Sequence, residues 1–201
     1  MDRTSETIPR NAVRGVASGV LFMAFFGTMW AGIGIMGLQG WGGLWFALVA
    51  VLVGIGLLVG AISLLRSSRR LPDQVAQTDD QQGKPIGIWF GIVFATEGVL
   101  IGVASVICNA INRIDLFFPI MAFIVGVHFL PLAALFQVKS YYFVGTLLCL
   151  LATVTLLIVP QRAVLSGQSI NLQLVVLGFG AAFILWVVGV GLWMLGNRLL
   201  G

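Results

Sequence analysis

Residues 87–138 read GIWFGIVFATEGVLIGVASVICNAINRIDLFFPIMAFIVGVHFLPLAALFQV, two apolar runs around the polar turn Asn112-Arg113-Ile114-Asp115. A bilayer core takes about 20 residues of helix at roughly 1.5 Å each, and both runs meet that length. A helix is the only unpaired segment that satisfies its own backbone groups in lipid. The turn is short, so the two helices are expected to run antiparallel as a hairpin. Each carries one ionisable residue deep in its apolar run, Glu97 in the first and His128 in the second. Counted from the turn, both lie about 15 residues away, or some 23 Å along the axes, at a common depth near mid-membrane.

The rest of the chain has the same character. Of its 201 residues, 59% are hydrophobic and 9% charged, far from the quarter or so of charged residues in soluble domains. The mean hydropathy of +1.06 agrees. Six runs are long enough to span: 13–38, 43–65, 87–111, 116–138, 141–160 and 172–196. The first is too long for a signal-peptide core and is read as a retained span. We therefore expect an all-α polytopic membrane protein. Residues 1–12 would be an N-terminal tail, 13–201 a single six-helix domain, and 66–86 a flexible polar loop containing Pro72, Gly83 and Pro85. The links would also allow two groups of three spans related as an inverted repeat, though the halves share no residue-level match.

Charge sets the expected orientation. With the N-terminus inside, the inner segments hold Arg3, Arg10, Arg14, Arg66, Arg69, Arg70, Lys84, Lys139 and Arg198, and the outer ones only Arg113 and Arg162. That bias puts both termini in the cytoplasm. The net charge of +4 then reflects topology and attraction to acidic lipid, and no nucleic-acid partner is implied.

Glycines are abundant. Gly32, Gly34 and Gly37 have the spacing of a dinucleotide fingerprint, but they end a membrane span where that motif needs a strand before it, so the match is read as chance. Small residues otherwise let helices approach in a membrane. Such rows are Gly43, Ala47, Ala50 and Gly54, then Gly56, Gly60 and Ser63. The longest is Gly91, Ala95, Gly98, Gly102, Ser105, Asn109 and Asn112 on the third span. That last row predicts a helix packed on its small face, with Ile92, Val99, Leu100, Val103, Val106 and Ile107 toward lipid. The fourth span has Pro119, Ala122, Gly126, Ala133 and Gln137 opposite His128, so it is expected to be buried all round.

Glu97 is expected to be protonated, paired or beside water, because a bare carboxylate facing lipid is expensive. His128 is the lone histidine and cannot build a zinc site. Cys108 and Cys149 offer no metal spacing and, at different depths, no bridge. With no Gly-x-Ser-x-Gly elbow either, an intramembrane enzyme is disfavoured, and no cofactor or metal is expected. Pro131 removes the hydrogen bond that the Val127 carbonyl would accept, which gives His128 a possible structural use as well. Asn109, Asn112, Arg113 and Asp115 gather at the outer mouth of the hairpin, as a solvated helix end or a vestibule.

Val125, Gly126, His128, Phe129, Pro131, Leu132 and Ala133, with Glu97 upstream, match a pattern Val-Gly-x-His-Phe-x-Pro-Leu-Ala. This stretch resembles a family of bacterial six-span membrane proteins with no assigned activity. The resemblance covers about a quarter of the chain and implies a bacterial inner-membrane protein. Two functions remain in view. One is a small permease or proton-coupled transporter with Glu97 and His128 titrating at its centre. The other is a non-catalytic membrane subunit or scaffold, a homo-oligomer or a partner of other membrane proteins, packing through its glycine faces.

Overall fold

In the computed structural model, residues 10–69, 80–136, 138–165 and 167–200 are described. They form six long helices: α1 (Arg10–Gly37), α2 (Gly43–Ser68), α3 (Asp80–Ala110), α4 (Phe117–Phe136), α5 (Lys139–Leu157) and α6 (Leu172–Leu200). All six are long and apolar enough to cross a membrane, so the fold is the all-α, six-span architecture predicted from the runs. Several helices outrun the expected ends. α2 continues to Ser68, where the Ser68 hydroxyl and the Arg69 N–H bond the last carbonyls and Arg66 lies in the negative last turn. α3 already begins at Asp80, so 80–86 are helical and not loop. The remainder of the expected loop, 70–79, and most of the expected tail, 1–9, lie outside the described residues.

The link after α5 is also more ordered than expected. Strands β1 (Arg162–Leu165) and β2 (Gln168–Asn171) pair antiparallel through a tight turn in which Gly167 has φ +82°. The ladder gives the backbone groups of the link itself partners. Gln168 Nε2 donates to the Gln39 carbonyl at 2.8 Å, which ties this hairpin to the α1–α2 turn.

The core is built on α1 and α6, the most extensively packed pair. Their backbones meet where Gly178 faces Gly34, and a methyl group on Gly178 would collide with the Gly34 backbone. Gly37 seats against Leu174 and Val175, and Gly27 lies under the Trp186 ring. The glycine spacing at 32–37 is thus not idle: Gly34 and Gly37 are contact points between helices, although Gly32 has open space. α2 leans on the pair with Gly54 against Thr28 and Gly60 against Trp193, while Gly56 meets nothing and Ser63 is exposed. α4 and α5 join through Gly126, Gly145 and Cys149. The helices therefore group as α1, α2 and α6 beside α4 and α5, not as two consecutive triplets.

Two expectations are corrected here. α3 is the least buried of the six and packs chiefly on α4. Its small row does not form that contact, because Gly91, Gly98 and Gly102 have no neighbour within 4 Å of an added methyl group. The face that packs carries Val93, Glu97, Ile101, Ala104 and Cys108, roughly a third of a turn away. The physical reason is one of magnitude. Leaving a carboxyl in lipid costs more than close glycine packing returns, so Glu97 decides the rotation of the helix. α4, in turn, is not buried all round. Pro119, Ala122, Gly126 and Ala133 are buried, but Phe123, Val127, Leu130 and Ala134 are exposed along one stripe.

Candidate functional site

The α3–α4 hairpin is set by its turn. Asn112 adopts the left-handed conformation, φ +54°, its N–H bonds the Asn109 carbonyl, and the Arg113 N–H reaches back to the Cys108 carbonyl at 2.8 Å. This is a Schellman stop, in which asparagine stands where glycine is commonest. A single 3₁₀ turn at Ile114–Leu116 then starts α4. Arg113 and Asp115 form an exposed ion pair at 3.2 Å, and the hydrogen bond to Asp115 is the main cause that raises the Arg113 guanidinium above its ordinary value. Asn109 is exposed on the same end. The Asn109 and Asn112 backbone and the Arg113–Asp115 pair close the hairpin.

That turn brings the two central residues level. His128 Nδ1 lies 3.2 Å from Glu97 Oε2, with the imidazole 4% and the carboxyl side chain 13% exposed. The contact is close, but neither ring nitrogen of His128 makes a well-directed hydrogen bond. The Val93 backbone approaches the ring as well, off the line a good bond needs. The pair can hold a proton on the carboxyl or on the imidazole. Both forms are net neutral, and neutrality is what a low-dielectric site favours.

Aromatic rings enclose the imidazole. Phe94 and Phe129 meet it edge-on, with centroids 5.5 and 5.9 Å away. Phe94 reaches Phe22 on α1, which contacts Phe26, so a ring train links the outlying α3 to the core. Inside this wall lies a cavity of about 80 Å³ bordered by Phe22, Phe26, Trp30 and Met121 together with Glu97 and His128. That is room for two or three waters, each about 30 Å³ in the liquid. On the other side of the pair, a groove of about 340 Å³ opens between α3 and α4.

The structure thus brings Glu97 and His128 together and leaves Asn109, Asn112, Arg113 and Asp115 at the hairpin end. Sequence reading did not find the α1 contribution. Phe22, Phe26 and Trp30 recur every four residues and so share a face, a legible signal of an aromatic wall. Cys108 and Cys149 are both free thiols. Among the described residues, no cluster of histidine, cysteine and carboxylates could hold a metal ion. No family model, curated protein or solved structure matches the chain.

Proposed function

We propose that this chain is a small permease or proton-coupled transporter of a bacterial inner membrane, working through Glu97 and His128. The observation that carries this reading is the contact of the two at mid-span, with a cavity on one side and a groove on the other. An ionisable pair held inside a span is expensive, and proton relays and substrate sites are where that expense recurs. The basic residues support an orientation with both termini in the cytoplasm. The test is solute uptake into proteoliposomes under an imposed pH gradient, across cationic, neutral and anionic panels. At least one class should accumulate only with the gradient, and Glu97→Gln and His128→Leu should each abolish accumulation.

One observation favours a second reading, a non-catalytic subunit or scaffold. The small face of α3, with Gly91, Gly98 and Gly102 open, meets no partner helix among the described residues. On that reading the uptake panel stays silent and the protein purifies from native membranes in fixed ratio with another membrane protein.

A further inference from the structure

Glu97 and His128 are the two residues common to the linings of the inner cavity and the α3–α4 groove. The pair is therefore the wall between a space inside the bundle and a space open to the side of the bilayer. The groove's long walls, Ile92, Leu100, Phe123 and Val127, suit a hydrocarbon chain. Its volume is in the range of pockets that take drug-sized ligands, about 300 Å³ and upward.

The polar atoms at this wall are mostly of one kind. Glu97 supplies carboxylate oxygens. Thr96 Oγ1 spends its hydrogen on the Ile92 carbonyl at 2.8 Å and keeps lone pairs. Pro131 lies inside α4 and has no N–H, so the Val127 carbonyl one turn earlier lacks its helical donor. Among the described residues, no lysine or arginine lines either space. Acceptors beside a carboxylate call for a cation rich in donors, and a primary ammonium brings three N–H groups. The aromatic wall of Phe22, Phe26 and Trp30 is also favourable to a cation.

We propose that the site takes a protonated long-chain primary amine, which enters sideways from the bilayer through the α3–α4 groove and sets its ammonium against Glu97. This names a substrate class for the transport reading and rests on it. The ammonium takes the position that His128 Nδ1 now holds. The proton of the Glu97–His128 pair leaves to water as the ammonium arrives, so the net charge of the site is unchanged. A fatty alcohol brings one donor and no charge. A fatty acid brings a second anion to Glu97.

The test is photolabelling of the intact protein in proteoliposomes with a diazirine-bearing long-chain amine, in competition with dodecylamine, dodecanol or dodecanoate. Dodecylamine should protect peptides around 92–100 and 123–131 about tenfold better than dodecanol, the effect of one charge-assisted bond. Dodecanoate should not protect. Glu97→Gln should erase the preference for amine, and the three-competitor comparison on the unaltered chain decides the matter even where that variant folds poorly. Equal protection by dodecanol overturns the amine class, and protection by none overturns the site. Amine-selective labelling in a protein that moves no solute upholds this site and overturns transport. Gradient-driven uptake of another solute without such labelling does the reverse.

Discussion

At the scale of single residues, the contact between Glu97 and His128 makes a prediction about stability. Either partner alone would lose the ionisable neighbour it now contacts, whereas two leucines would fill the space without polar demand. Soluble proteins lose about 3–5 kcal/mol when a buried pair is broken, but intramembrane couplings average about 0.6 kcal/mol because the unfolded chain in lipid also finds partners. We use the smaller figure. Glu97→Leu and His128→Leu should each lower thermal stability in detergent, and the double variant should lose less than the sum of the two, by a coupling of about 0.6 kcal/mol. Additive losses would show that the two side chains do not interact. The hairpin turn makes a second prediction. Asn112→Gly should be neutral, while Asn112→Val, forced to positive φ, should lose about 1–2 kcal/mol.

At the scale of elements, the structure reverses the ranking that the glycine rows suggest. Gly178→Leu would force α1 and α6 apart and should cost about 3 kcal/mol or the fold itself. Gly98→Leu and Gly102→Leu enter open space and should stay within about 0.5 kcal/mol in the purified monomer. A large loss at Gly98 or Gly102 would mean that α3 packs there on a second copy or a partner. Thermal melts of the three variants separate these outcomes. The spans were legible in the sequence because apolar length is a sufficient signal in a membrane, and so was the common depth of Glu97 and His128, since a short turn leaves only counting. Which face of a helix meets a neighbour was not legible. Gly34 and Gly98 look alike in a string, yet Gly34 packs on α6 while Glu97, facing α4, leaves Gly98 turned outward. The β1–β2 hairpin was missed because four-residue strands in a mildly polar link carry no periodicity to read.

At the scale of the whole molecule, the six described helices carry the Glu97–His128 pair at mid-span, and an even number of spans would put both chain ends on one side. Reporters fused after Gly201 and within 70–79 should both report cytoplasm, and one placed in the β1–β2 turn should report the outside. An external signal at the C-terminus would break the six-span count. The central claim is that Glu97 and His128 share one proton, and infrared difference titration of the reconstituted protein tests it most directly. The account predicts a carboxyl carbonyl band that changes with pH, vanishes in Glu97→Gln, and shifts in frequency and midpoint in His128→Leu. A band that His128→Leu leaves in place would contradict it.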